Sequence, residues 1–104
     1  MSLKIWVVNL VYMKKYELTN ETIEVKGHIL HRIRHLKTGE LGGWVESEEN
    51  LSQEGYGWVY SDAQVYGNAR VCGDVLISGN ARLWGNIKVY DDPQGSGGCI
   101  AGEV

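Results

Sequence analysis

Val65-Tyr66-Gly67-Asn68-Ala69-Arg70 is a six-residue unit that can be laid without gaps over its neighbours. Downstream come Val71-Cys72-Gly73-Asp74-Val75-Leu76, Ile77-Ser78-Gly79-Asn80-Ala81-Arg82 and Leu83-Trp84-Gly85-Asn86-Ile87-Lys88, with a further unit opening at Val89. Upstream, Val59-Tyr60-Ser61-Asp62-Ala63-Gln64 keeps the register. An aliphatic first position, Gly followed by Asn or Asp, and a small or β-branched fifth position at a period of six predict a parallel β-helix. Residues two apart, such as Ala69 and Val71, point to one side of a strand, and Arg70 and Cys72 to the other. A Gly-Asn or Gly-Asp pair turns the chain, because glycine takes positive φ at little cost and Asn or Asp tolerates it. Three such sides close a triangle with Val, Ile, Leu and Ala inside.

The pattern resembles the left-handed β-helix of the hexapeptide-repeat superfamily, known from bacterial acyltransferases, in which three hexapeptides make one coil of eighteen residues. The handedness comes from that resemblance, since the general crossover rule is right-handed. The expected fold is therefore all-β: a short left-handed parallel β-helix of about three coils, roughly 41–58, 59–76 and 77–94, with an N-terminal antiparallel β-meander as cap. The eighteen-residue step puts Leu41 below Val59 below Ile77, and Val45 below Ala63 below Ala81, all at interior positions. Outside, it places Tyr66 under Trp84, Cys72 under Tyr90, Arg70 under Lys88, and Trp58 with Tyr60 under Leu76 with Ser78. At the corners Asn68 falls under Asn86, where stacked amides can bond from layer to layer.

Four segments follow. Residues 1–12 are an extension or an extra strand. Residues 13–38 form the meander, with strands over Lys14–Thr19, Thr22–Lys26 and Ile29–Leu36 and turns at Asn20-Glu21 and Gly27. A helix through Ile29, Ile33 and Leu36 is the alternative there. The meander would cover the open edge of the first coil. Residues 39–94 are the repeats, and 95–104 are a Gly-rich loop with a partial repeat, Ile100-Ala101-Gly102-Glu103-Val104. A short repeat array has to be capped, oligomeric or both.

The chain has 104 residues and a net charge of −3, with no dominant Lys/Arg cluster, which argues against a nucleic-acid partner. The apolar stretch Ile5–Met13 is too short to span a membrane. Two cysteines, Cys72 and Cys99, make no disulfide framework, so reduced thiols and a cytoplasmic location are expected.

Leu41-Gly42-Gly43-Trp44-Val45-Glu46, Asn50-Leu51-Ser52-Gln53-Glu54-Gly55 and Trp58-Val59-Tyr60 look like the segment that leads into the repeats of bacterial and phage-borne hexapeptide proteins described as transferases. The likeness covers about residues 13–94. Acyltransferases of this superfamily use a histidine as general base in a groove between subunits of a trimer, with acetyl-CoA or a related acyl-CoA as donor. Imidazole suits that task because its pKa is near neutrality. Here residues 36–104 contain no histidine, and His28, His31 and His35 all precede the repeats. They are the weak catalytic candidates. On a strand His31 and His35 share one face and His28 the other, so no metal site is expected. The cysteines have no partner at zinc-ligand spacing, and no phosphate-binding glycine loop is present.

The aromatic residues are the stronger clue, since the chain contains no Phe. Trp58, Tyr60, Tyr66, Trp84 and Tyr90, with Leu76, define an outward surface available to the hairpin, to another subunit or to a ligand. The expected function is a structural or interaction module that self-associates as a trimer or end to end and needs no cofactor, with the question of enzymatic activity left open. The alternatives are acyl transfer from an acyl-CoA to a hydroxyl or amine, and carbohydrate binding on the aromatic face.

Overall fold

The computed structural model describes residues 14–90. The expectations for residues 1–12 and for the Gly-rich loop and partial repeat at 95–104 lie outside them. The strands are β1 (Tyr16–Val25), β2 (His28–His35), β3 (Leu41–Val45), β4 (Trp58–Val59), β5 (Gln64–Val65), β6 (Arg70–Cys72), β7 (Leu76–Ile77), β8 (Arg82–Leu83) and β9 (Lys88–Tyr90). Among the described residues, a 3-10 turn covers Glu48–Asn50.

The hairpin forms because Lys26 and Gly27 both take positive φ, 51° and 88°, between two runs rich in β-branched and alternating residues. No turn occurs at Asn20-Glu21. That pair stays inside β1, where the register against β2 shifts between Leu18 and Thr22. Thr19 Oγ1 donates to Arg32 O at 2.8 Å and holds the irregularity in place. Ile29 and Ile33 lie in β2 and Leu36 in the turn just after it, none of them in a helix.

In the repeats, parallel pairing at a step of eighteen joins Trp58 to Leu76, Gln64 to Arg82, Arg70 to Lys88 and Cys72 to Tyr90. Asn68 Nδ2 donates to Asn86 Oδ1 at 3.0 Å. Positive φ recurs every sixth residue at Ser61, Gly67, Gly73, Gly79 and Gly85, which places the corners where the glycines predicted them. Ser61 adopts a φ of 50° without glycine's freedom.

The three-coil parallel β-helix is nevertheless not what these strands build. They form one mixed five-stranded sheet in the order β1-β2-β3-β5-β8 and two separate two-stranded parallel ladders, β4-β7 and β6-β9, with no closed or solenoid sheet. The reason lies in residues 41–57. There the step to the next layer is twenty residues, with Trp44 opposite Gln64 and Val45 opposite Val65. Between Glu46 and Gly57 the 3-10 turn and one isolated bridge, Leu51 to Val71, replace regular strands. The antiparallel hairpin also joins the same sheet through β2 and β3, instead of lying across it as a separate cap.

The slip of two preserves side-chain parity, so Val45 still points inward and is fully buried. Leu41 does not: it pairs with Arg34 and is half exposed, which corrects its expected interior position. Two apolar clusters result. One contains Tyr16, Ile33, Val45, Leu51, Trp58, Val59, Val65 and Val71, and the other contains Leu30, Trp44 and Tyr66. Cys72 is buried and disulfide-bonded, contrary to the expectation of a free thiol.

Candidate functional site

Two polar groupings arise where the hairpin meets the ladders. The first is built on Glu46, the residue after β3. Its Oε1 accepts from the Gly67 N–H at 2.8 Å, and both carboxylate oxygens lie 3.0–3.1 Å from His28 Nδ1. A carboxylate only accepts, so Nδ1 carries the proton and Nε2 is left as the basic nitrogen. The His28 ring rests on buried Tyr66, with centroids 5.0 Å apart. Desolvation pushes the Glu46 carboxyl upward, but the Gly67 N–H and His28 together hold it below its ordinary 4.5. A depressed carboxyl contributes stability that is present above its unfolded pKa and lost as the pH falls through the lower folded value. Glu46→Gln should therefore lower the urea midpoint at pH 6, with the gap to wild type closing as the pH is taken below 4.5.

The second grouping surrounds an open cavity of about 180 Å³. Trp58 and His35, with ring centroids 5.3 Å apart, line it together with Tyr56 and Tyr60. Lys15 and Glu40 line it as well. Lys15 Nζ donates to Gly57 O at 2.8 Å and Gly55 O at 3.2 Å. Burial lowers its pKa to about 8, opposed by the nearby charge of Asp74. At neutral pH it is mainly the ammonium. Trp58 Nε1 is buried and has no hydrogen-bond partner among the described residues.

The local architecture depends on two side-chain amides. Gln53 Oε1 accepts from the backbone N–H groups of Lys15 and Tyr16 at 2.7 and 3.1 Å, and its Nε2 donates back to Tyr16 O at 3.2 Å. Asn50 clips Glu46 and Ser47 to Gly67 and Ala69 in the same manner. The Asn50–Gln53 segment that carried the family likeness thus has a structural task in this chain.

The three histidines do not converge. His31 Nδ1 donates to Thr19 O at 2.9 Å across the hairpin. His35 Nδ1 accepts from the Lys37 and Thr38 N–H groups, which leaves the proton on Nε2. No group of three His, Cys, Asp or Glu side chains suited to a metal occurs among the described residues. No described helix is long and apolar enough to cross a membrane.

The outward aromatic set divides. The hairpin covers Trp58 through Tyr16 and His35, and Tyr66 through His28, leaving them 6% and 3% exposed. Leu76, Trp84, Tyr90 and Tyr60 stay 36–57% exposed. Sequence reading did not single out Lys15, Glu40, Glu46 or Tyr56, because no motif spacing marks them. Lys15, Glu40 and Tyr56 meet only when β1 and β2 fold over the loop at 53–57, and Glu46 meets His28 and Gly67 at the other grouping. Neither protein-family models nor curated proteins include a match to this chain.

Proposed function

We propose that the chain is an interaction module that self-associates through the last layer of its parallel ladders. The observation behind this reading is the state of that layer. β7, β8 and β9 each have a strand partner on one side only among the described residues. In and beside them Leu76, Trp84, Ile87 and Tyr90 are 57%, 55%, 44% and 41% exposed. Unpaired edges and large exposed apolar groups are features that a second copy would cover.

The other outer strand of the mixed sheet, β1, is ill suited to the same contact. Its register is broken between Leu18 and Thr22, and Glu17, Glu21 and Glu24 interrupt its apolar character. Bulges and charges protect edges of this kind. With one end guarded, two copies meet through the same layer about a twofold axis, and assembly closes at a dimer instead of running on as a filament.

Light scattering over a concentration series tests the idea. Wild type should move toward twice the 11.6 kDa chain mass, and Trp84→Glu and Leu76→Glu should remain at the single-chain mass. A wild type of single-chain mass at every concentration, a threefold mass, or an oligomer that both variants leave unchanged would each reject it.

The Glu46–His28 pair supports a second reading, acyl transfer from acetyl-CoA or another acyl-CoA to a hydroxyl or amine. Carboxylate-held Nδ1–H with Nε2 as base is the arrangement that general-base chemistry requires. On this reading His28→Ala abolishes transfer without altering the mass, and failure of acetyl-CoA to bind eliminates it. Cytoplasmic residence, proposed on the sequence, conflicts with the Cys72 disulfide, which is favoured by oxidising surroundings.

A further inference from the structure

The cavity beside His35 takes no part in either reading above. We infer that it is a binding site for one ring of a neutral sugar, held between the tyrosines and the polar groups of Lys15 and Glu40. Four observations select this ligand class.

The first is size. A volume of about 180 Å³ accommodates one six-membered ring and its substituents but not a nucleotide or a longer chain. The second is charge. Lys15 and Glu40 line the same cavity with opposite signs, so an anion or a cation gains from one and loses to the other. A neutral molecule that both donates and accepts is favoured by both.

The third is the supply of hydrogen-bonding groups. Two N–H groups of the Lys15 ammonium are used by Gly55 O and Gly57 O, and the third is left for a ligand. The Glu40 carboxylate has no hydrogen bond or ion pair among the described residues, and two adjacent hydroxyls are its natural donors. The fourth is the aromatic surface. Tyr56 is 85% exposed and Tyr60 36% exposed on the same cavity, and an aromatic face is a suitable seat for the C–H face of a pyranose. A metabolite lacking an apolar face would leave that surface unused.

A sugar ring of about a dozen heavy atoms at about −0.3 kcal/mol per atom gives a dissociation constant on the order of a few millimolar. The test is a titration of the full chain with the methyl glycosides of glucose, galactose, mannose and N-acetylglucosamine. It is followed by tryptophan fluorescence and by amide chemical shifts, with glucuronate and glucosamine as charged comparisons. At least one neutral glycoside should saturate in the millimolar range and shift the amides of residues 15, 40 and 56–60. Glu40→Gln and Tyr56→Ala, both at exposed positions, should each weaken it about tenfold while leaving the thermal midpoint unchanged.

The inference fails if no neutral glycoside saturates below about 100 mM. It also fails if both variants bind as wild type does, or if glucuronate or glucosamine binds more tightly than every neutral ring. The light-scattering mass is independent of all these outcomes, so the two proposals stand or fall separately.

Discussion

Gly43→Ala should lower the thermal midpoint by about 12–24 °C, which corresponds to about 3 kcal/mol for a chain of this size. A Cβ built at Gly43 would lie 2.6 Å from Val59 Cγ1, 2.7 Å from Ala63 O and 3.2 Å from Tyr60 O. Two of these three atoms are backbone oxygens, which no rotamer change can move. β3 would have to withdraw from the chain at 60–63, and the hydrogen bond from Trp44 N to Ala63 O, 3.0 Å long, would be lost with it. Gly79→Ala separates this close approach from backbone conformation. Nothing lies within 4 Å of a Cβ there, but φ is +68°, so only the conformational cost of about 1–2 kcal/mol applies. Thermal unfolding of the two variants side by side tests the argument. Equal losses would mean that the contact at β3 is not the constraint described.

Asn50→Ala should cost about 3–5 kcal/mol, read as a lower urea midpoint with an unchanged slope. Asn50 is 1% exposed, and its side chain makes four hydrogen bonds. Oδ1 accepts from Glu46 N at 3.0 Å and Ser47 N at 2.8 Å, while Nδ2 donates to Ala69 O at 2.8 Å and Gly67 O at 3.2 Å. Glu46 N has a second acceptor in Val65 O, so truncation falls mainly on Ser47 N and the two carbonyls. Each buried group left without a partner costs about 1–3 kcal/mol, a large part of a typical total of about 5–15 kcal/mol.

Asn50→Asp distinguishes the donor from the acceptor function. A carboxylate can still accept from Glu46 and Ser47, but its second oxygen faces the carbonyls of Gly67 and Ala69. Only the protonated acid can donate there. The folded-state pKa of the introduced group is therefore raised, and the variant regains stability toward wild type as the pH falls through that value. A pH-independent deficit would rule out this account.

The legibility of the fold differs between its two halves. In residues 58–90 the partners of Trp58, Gln64, Arg70 and Cys72 follow from the six-residue period. The corner glycines follow from the chemistry of positive φ. Between 41 and 57 the same period fails, because hydrogen bonds from Asn50 and Gln53 outweigh repeat propensity and the layer step lengthens to twenty. A two-residue slip leaves the inward and outward pattern of β3 unchanged, so alternation alone could not reveal it. The polar sites were less legible still. His28 and His35 were visible as candidates, but their tautomers depend on Glu46 and on the Lys37 and Thr38 N–H groups.

By itself the sequence determined an all-strand repeat region, its eighteen-residue pairing and its corners, because each follows from local periodicity and backbone sterics. Only the tertiary structure decided that the hairpin joins the repeats in one mixed sheet. The hairpin buries Trp58 and Tyr66 but leaves Trp84, Leu76 and Tyr90 exposed, and it brings Lys15 to the cavity that Glu40 also lines. These outcomes depend on contacts between residues distant in the sequence, Lys15 with Gly57 among them at 42 positions, set by side-chain hydrogen bonds and close approach of backbones, for which a six-residue pattern carries no information.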